Sequence, residues 1–201
     1  MRFIGFYNYT VILTYMSLIS GIVGMKFDSV GKPGAAIICL LLSGFCDMFD
    51  GVVARTKKNR TADQKNFGIQ IDSLCDVICF GVFPAVFLYF CGVSSVWGIA
   101  LLCFYVLCAV IRLAFFNVLE TRRQMSEDGC AKGYRGMPVT MAAIIFPALY
   151  LVSLLVPKTV EAANVLAVVY HVIPALCGIL FILDFRIPKI DIAKLLRGKK
   201  K

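Results

Sequence analysis

Histidine is nearly absent from this sequence, and its cysteines form no CxxC pair. The single histidine is His171, and of the nine cysteines only Cys130 lies in a polar loop away from an apolar block. Zinc sites and disulfide scaffolds draw on spaced clusters of these residues. The pattern argues against both kinds of site. We interpret the cysteines as small buried hydrophobic residues and His171 as a packing or interfacial residue.

Charged residues are also scarce. They make up 16% of the 201 residues, whereas 60% are apolar and the mean hydropathy is +0.83. A soluble domain is about 45–50% apolar, and here the apolar residues fall in long blocks rather than at amphipathic spacing. The composition therefore indicates an integral membrane protein. No repeat of fixed period and no low-complexity linker is visible, so we expect one membrane domain over residues 1–201.

The apolar blocks predict an all-α, polytopic membrane protein with six transmembrane helices. Each block is near the ~20 residues that a helix needs to cross the hydrocarbon core. Pro84, Pro147 and Pro174 fall inside three of the blocks and are expected to kink those helices. The six predicted spans cover residues 9–27, 34–53, 67–90, 96–118, 138–157 and 163–184.

Positive charge is distributed unevenly between the loops. The segments 54–66, 119–136 and 185–201 carry sixteen Lys or Arg, and the alternate loops carry three. The positive-inside rule places the first set in the cytosol, and an even number of spans places both termini there. We expect a retained N-terminal helix rather than a signal peptide. The basic tail "KLLRGKKK" fits anchoring on anionic lipid, and no nucleic-acid partner is expected.

Four aspartates border or enter the apolar blocks, in "CDMFDGVVAR" (46–55) and "GIQIDSLCD" (68–76). Asp47 and Asp50 are three residues apart, and Asp72 and Asp76 are four apart. Both spacings place a pair on one helix face, with Cβ atoms about 5–6 Å apart. The two helices are consecutive and joined by a short cytosolic loop. They run antiparallel, so both pairs are expected to lie toward the cytosolic side.

Carboxylates that converge in a low-dielectric site repel one another, and divalent cations remove that repulsion. Oxygen-rich sites suit Mg²⁺, Ca²⁺ or Mn²⁺. Gly51 and Gly68 accompany the acids and would let a bulky ligand approach the backbone closely. Arg55 lies one turn beyond Gly51, and a cation beside divalent metals needs an anion between them, most simply a phosphate. A structural ion-pair network is the alternative, but four acids against one nearby arginine leave it unbalanced.

These residues resemble the signature of the CDP-alcohol phosphatidyltransferases. Asp47-x2-Asp50-Gly51-x2-Ala54-Arg55, followed by Gly68-x3-Asp72-x3-Asp76, matches the family pattern D-x2-D-G-x2-A-R then G-x3-D-x3-D. Twelve residues separate Arg55 from Gly68, where the commonest form of the family has eight. The longer cytosolic loop is mostly polar or charged and is expected to leave the helix faces unchanged.

Flanking blocks resemble the phosphatidylserine synthases within this family. "FGIQIDSLCDVICFGVFPA" is similar to their "FG-x-x-LDSLADVVSFGVAPA", "RLAFFN" (112–117) to their "RLARFN", and "YRGMPVT" (134–140) to their "F-x-GLP-x-P". Phe115 stands where that subfamily often has a second arginine. If that arginine helps bind substrate in relatives, another group serves here or the acceptor differs.

The resemblance implies a six-helix membrane domain, usually homodimeric, with a polar cavity open to the cytosol of the cell (inner) membrane. Its donor is CDP-diacylglycerol, its acceptor is L-serine, and its products are phosphatidylserine and CMP. By the family pattern Asp47, Asp50 and Asp72 bind two divalent ions, Mg²⁺ or Mn²⁺, and Asp76 is the base with possible metal contact. Two metals would neutralise charge on the transferred and leaving phosphates. The CDP pocket would comprise Gly51, Ala54, Arg55 and Gly68, with Asn8 as a further contact.

The serine carboxylate needs a cation. Arg112 and Arg135 are the candidates from the subfamily blocks, with Asn117 as a polar contact. Arg112 lies inside a span, where an arginine is costly unless it is functional or extends its charge to the interface; for Arg135 the alternative is ordinary positive-inside charge. Glycerol 3-phosphate or inositol phosphate is the alternative acceptor. A small membrane transporter is a more distant alternative, because acids within a membrane also mark ion pathways.

Overall fold

The computed structural model describes residues 5–7, 9–57, 59–125, 134–157 and 159–187. Helices dominate this part of the chain, and its only strands are two residues long and pair antiparallel, Tyr134 with Ile187. Short 3₁₀ turns at Tyr9–Val11 and Val139–Met141 lead into two of the helices. The elements are α1 Ile12–Ser29, α2 Pro33–Thr56, α3 Ala62–Asp76, a π-helical turn Val77–Val82, α4 Phe83–Phe90, α5 Val96–Met125, β1 Tyr134–Arg135, α6 Ala142–Leu155, α7 Val160–Ile182 and β2 Arg186–Ile187.

The all-α, multi-pass architecture expected from the sequence is confirmed. Helix α3, the π-helical turn and α4 follow one another without a break, so the described helices form six rods at the positions of the six predicted spans. Four stretches are long and apolar enough to cross a membrane: Pro33–Val53, Ala62–Phe90, Val96–Arg122 and Val160–Ile182. The rod that contains α6 is shorter, with its apolar stretch at Val139–Leu155, and α1 has 18 residues.

The third rod starts earlier than its apolar block. The block was predicted to begin at residue 67, but α3 begins at Ala62. Thr61 is the reason, because its side chain accepts a hydrogen bond from the backbone N–H of Gln64 and so caps the helix. A polar turn of helix therefore precedes the apolar part of the rod.

Small and polar side chains join α1 to α2. Ser17 and Ser43 share a hydrogen bond of 2.7 Å between their hydroxyl oxygens, and Ser20 Oγ donates to the carbonyl of Cys39 at 2.9 Å. On the same face of α1, a Cβ on Gly24 would collide with the ring of Phe83. Small residues let membrane helices approach closely, and hydroxyl pairs add cohesion where lipid offers no partner. These contacts fix α1 against both α2 and the third rod.

The π-helical turn lies immediately after Asp76 and next to Pro84. Proline has no N–H, so the carbonyl of Phe80, four residues earlier, loses its normal helical donor. Tyr105 on α5 replaces that donor, because its hydroxyl donates to the Phe80 carbonyl at 2.6 Å. Tyr105 is fully buried and also contacts Phe146 and Phe181 in ring-to-ring packing. The centre of the core is thus organised around a hydrogen bond that a proline makes necessary.

The described cysteines are all free thiols, in agreement with the interpretation of the sequence. Five of them, at positions 46, 75, 79, 108 and 177, are buried. Cys103 is exposed on the surface of α5 and is the exception to the expected burial. His171 lies within α7, where its Nδ1 is 2.8 Å from the carbonyl oxygen of Ala167. Cys130 and the basic tail lie outside the described residues.

Candidate active site

The acidic site is formed where α2 and α3 run antiparallel. Helix α2 contributes Asp47 and Asp50, and α3 contributes Asp72 and Asp76. Ligand oxygens of Asp47, Asp50 and Asp72 all lie within 4.8 Å of one another. Asp76 lies beside Asp47, within hydrogen-bonding reach of its carboxyl group. The four aspartates that the sequence singled out are therefore brought together by the fold.

The site has two levels along the helix axes. Asp47 and Asp76 form the level farther from the loop that joins α2 and α3, and Asp50 and Asp72 form the level nearer to it. Asp50 and Asp76 are buried, at 9% and 8% exposure, and the other two are half-buried. Carboxylates this close and this dry repel strongly unless a cation or protons neutralise them.

The donor set fits a hard divalent cation. Three carboxylates from two helices supply oxygen ligands at a spacing that one ion can bridge. In addition, Asp72 Oδ1 is buried and has no hydrogen-bond partner among the described residues. An unsatisfied buried carboxylate oxygen is costly, and a metal ion would satisfy it. The cluster of Asp47, Asp50 and Asp72 can therefore hold a metal ion.

Gly51 and Gly68, the two glycines of the sequence motif, have open space where a side chain would lie. A Cβ on Gly51 would meet no heavy atom of the described residues within 4 Å. A Cβ on Gly68 would meet only Arg60 Nη1, at 3.8 Å. Because α2 and α3 present bare backbone next to the carboxylates, a ligand can approach the helices at van der Waals distance. Ala54 continues α2 beyond Gly51, as does Arg55, but the side chains of both lie outside the described part of the chain, as does all of Asn8.

One partner of the acidic site was missed by the sequence analysis. Thr14 on α1 is 4% exposed, and its hydroxyl donates to Asp50 Oδ2 at 3.1 Å. The signal for it is the spacing of small and polar residues along α1, since Thr14, Ser17 and Gly21 recur at intervals of three and four and share the buried face. That spacing identifies a packed face, but only the fold shows which helix it contacts.

The residues predicted for an acceptor lie on two sides of α5. Asn117 accepts a hydrogen bond from Ser73 Oγ at 2.6 Å and donates to Gln70 Oε1 at 3.3 Å, so it contacts α3 beside the acidic site. Arg112 donates from Nε to the carbonyl of Met137 at 3.2 Å. Its guanidinium also packs against Gly136 and lies near the charge of Asp184.

Two further positions, Arg135 and Phe115, were also linked to the acceptor by the sequence analysis. Arg135 belongs to β1, which pairs with β2, but its side chain lies outside the described part of the chain. Phe115, at the position where an arginine was expected from the resemblance, is 42% exposed on α5.

A cavity of about 520 Å³ separates α3 from α5. Its polar lining residues are Gln70, Ser73, Asn117, Thr121 and Arg122, and its apolar part includes Leu74, Val77, Val110 and Leu113. Three of its polar lining residues, Gln70, Ser73 and Asn117, carry hydrogen bonds between α3 and α5. The cavity therefore adjoins the aspartate-bearing helix on the side opposite α2.

Comparison with known proteins identifies the family. The family model for CDP-alcohol phosphatidyltransferases matches residues 7–180. The chain belongs to this family. The matched region includes all four aspartates, both open glycines and Thr14.

Several curated relatives carry a serine-related name. An archaetidylserine synthase of Methanothermobacter thermautotrophicus is 36% identical over 141 residues, which cover 70% of this chain and 56% of the relative. CDP-diacylglycerol–serine O-phosphatidyltransferases of Saccharomyces cerevisiae and Mycobacterium tuberculosis are 33% and 34% identical, over 65% and 66% of this chain and 51% and 45% of the relatives. The chain thus spans about half the length of these relatives. No solved structure matches the chain significantly.

Proposed function

We propose that this protein transfers the phosphatidyl group from CDP-diacylglycerol to L-serine, giving phosphatidylserine and CMP. The observation that carries the proposal is the cluster of Asp47, Asp50 and Asp72 from two antiparallel helices, with Asp76 beside Asp47 and with two open-faced glycines nearby. The names of the relatives support serine as the acceptor, since each of those above contains it. The relatives' names differ in the lipid that they specify. We choose CDP-diacylglycerol as the lipid donor because it occurs in most of those names.

Asp47, Asp50 and Asp72 would hold the divalent ions, two Mg²⁺ or Mn²⁺. When bound, such ions neutralise charge on the pyrophosphate of the donor. The open faces of Gly51 and Gly68 admit the phosphates to the helix backbones. Arg55 and Ala54 extend this pocket along α2, and Asn8 is proposed as a nucleotide contact.

Asp76 is proposed as the general base. Its carboxylate accepts the proton of the serine hydroxyl while the serine oxygen attacks the phosphorus that carries diacylglycerol. The bond from that phosphorus to the bridging oxygen breaks, and CMP leaves with the bonding electron pair. Burial at 8% exposure suits this role, since a base shielded from water transfers its proton to and from the reactants rather than to bulk solvent.

The acceptor is proposed to bind between α5 and the acidic site. Asn117, held by Ser73, supplies a polar contact within reach of α3. Arg112 and Arg135 are proposed to bind the serine carboxylate. The Met137 carbonyl accepts a hydrogen bond from Arg112 Nε and orients the guanidinium.

The membrane placement is part of the proposal. Positive loops place both termini and the acidic site on the cytosolic side of the cell membrane. The family resemblance adds a homodimer. A reporter fused to the C-terminus and cross-linking in intact membranes test these two statements separately.

The central experiment is an acceptor screen with purified protein, CDP-diacylglycerol and Mg²⁺ or Mn²⁺. We expect CMP release with L-serine, little release with glycerol 3-phosphate or inositol phosphate, and none in excess chelator. CMP release with one of the phosphorylated acceptors instead would change the acceptor but keep the chemistry. Absence of CMP release with every acceptor would favour the transporter, and full turnover in chelator would contradict the role of the metals.

A further inference from the structure

The cytosolic loop between α2 and α3 places a cation over one of the open glycines. Arg60 Nη1 is the only atom of the described residues within 4 Å of the position that a Cβ would take on Gly68, at 3.8 Å. Gly68 lies one helical turn before Asp72 on α3. The Arg60 guanidinium therefore faces the same stretch of helix as the metal-binding carboxylates.

The backbone at Arg60 is anchored, but one nitrogen of its side chain lacks a hydrogen-bond acceptor. The next residue, Thr61, caps α3 through the N–H of Gln64, which fixes the backbone where Arg60 leaves the loop. Arg60 is half-buried, and its Nε is buried with no hydrogen-bond partner among the described residues. A buried guanidinium N–H without an acceptor is unfavourable. An acceptor supplied by a ligand would remove that cost.

The ligand must carry negative charge. Asp72 lies one helical turn beyond Gly68, and its Oδ1 is likewise buried without a hydrogen-bond partner among the described residues. A phosphate fits between a guanidinium and metal-binding carboxylates, because it binds cations on both sides. The orphaned Nε needs an anion and the orphaned carboxylate oxygen needs a cation, so a phosphate that binds together with a metal ion would satisfy both.

The position along α3 selects one half of the donor. Gly68 lies about 6 Å nearer the cytosolic loop than Asp72, from four residues at 1.5 Å each. The diacylglycerol half must remain in the membrane, so the nucleotide half occupies the cytosolic end. We propose that Arg60 binds the phosphate of the nucleotide half of a CDP-linked donor across the open face of Gly68. This inference rests on the proposed function.

The residue comes from the part of the chain where the sequence departs from its family. Twelve residues separate Arg55 from Gly68 instead of the common eight, and Arg60 lies among them. The signature D-x2-D-G-x2-A-R then G-x3-D-x3-D does not include it. By this proposal the longer loop supplies a residue that contacts the CDP-linked substrate.

The test compares Arg60→Gln and Arg60→Lys with the control Lys65→Gln. Lys65 is an exposed cation on the first turn of α3, so its substitution removes the same charge a short distance away. CMP affinity is measured by titration calorimetry on purified protein in detergent with Mn²⁺, followed by the KM values for CDP-diacylglycerol and serine. We expect Arg60→Gln to weaken CMP binding and raise the donor KM on the order of 10- to 100-fold, the worth of a charged hydrogen bond. Arg60→Lys should lose less CMP affinity than Arg60→Gln. The KM for serine should stay at the wild-type value in both variants, and Lys65→Gln should match wild type in every measurement.

Each contrary result is informative. Unchanged CMP affinity in folded Arg60→Gln overturns the proposal, and so does a change confined to serine KM. Competition by cytidine, which lacks the phosphate, separates phosphate binding from stacking on the base: equal losses for CMP and cytidine overturn the phosphate assignment. If the wild-type protein binds CMP but does not transfer the phosphatidyl group to serine, only the proposed function is contradicted. The CMP titration still tests the role of Arg60.

Discussion

Thr14 on α1 donates a hydrogen bond to Asp50 on α2 at 3.1 Å, although the two residues are 36 positions apart in the chain. Both are buried, so water does not compete for the carboxylate oxygen. A hydrogen bond to one oxygen orients the other, and partners of this kind tune the metal affinity of the ligands that they hold. Helix α1 is thereby a structural part of the acidic site.

Thr14→Val keeps the shape of the side chain and removes the hydroxyl. If Asp50 is a metal ligand, the variant should need about 10- to 100-fold more Mn²⁺ for half-maximal activity. Thr14→Ser is the matched control and should stay near wild type. The measurement is a Mn²⁺ titration of CMP release at saturating donor and acceptor. Equal activation constants for Thr14→Val and wild type would remove Thr14 from this role.

Asp76→Asn preserves size and removes the proton acceptor. If Asp76 is the base, kcat should fall by about 10²- to 10⁴-fold while CMP binding in Mn²⁺ persists. Asp72→Asn provides the contrast, since loss of a metal ligand should reduce CMP binding as well. Single-turnover rates and calorimetry separate the two effects. Loss of metal and CMP binding together in Asp76→Asn would make Asp76 chiefly a ligand.

Arg112→Ala should raise the KM for serine and leave the KM for CDP-diacylglycerol near wild type, because it removes a carboxylate contact from the acceptor side only. The side chain also binds the Met137 carbonyl, so thermal unfolding must be measured in parallel. A fall in stability with unchanged serine KM would assign Arg112 to the fold. In that case Phe115 becomes the first indication of a different acceptor.

Tyr105→Phe leaves the carbonyl of Phe80 without a donor next to Pro84. The free energy of unfolding should drop by about 1–3 kcal/mol, the cost of an unsatisfied buried polar group. Tyr89→Phe is the control, because Tyr89 is 44% exposed and a phenylalanine retains its edge-to-face contact with Phe90. Denaturation in a mild detergent measures both variants. An equal effect of the two substitutions would refute the structural role of the Tyr105 hydroxyl.

The aspartate pairs were predictable because their geometry is local. Spacings of three and four residues place side chains on one helix face whatever the rest of the chain does, and a short loop makes consecutive helices antiparallel. The clustering of all four acids follows from these two facts. The six-rod fold was predictable for a similar reason, since long apolar blocks have few alternatives in a membrane.

Contacts between distant segments were not predictable. Nothing local indicates that Thr14 faces Asp50, or that the Tyr105 hydroxyl reaches the carbonyl exposed by Pro84. The π-helical turn was missed because its apolar residues give the same hydropathy signal in any helix, and Pro84 was expected only to kink the span. Arg60 was passed over as one more loop cation, since its position over Gly68 depends on how the loop folds.

The π-helical turn makes the stretch between Asp76 and Phe83 a spacer of fixed length. A rod that continued as an ordinary α-helix would turn by about 100° per residue, so adding or removing one residue there would swing one end relative to the other. Upstream, Asp72 and Asp76 must face α2; downstream, Phe83 must fit over Gly24 of α1. Insertions and deletions within this turn should therefore be more damaging than changes of length in the loop before α3 that leave Arg60 in place. The number of residues between Asp76 and Phe83 thus sets both the direction in which the aspartates face and the packing of Phe83 against α1.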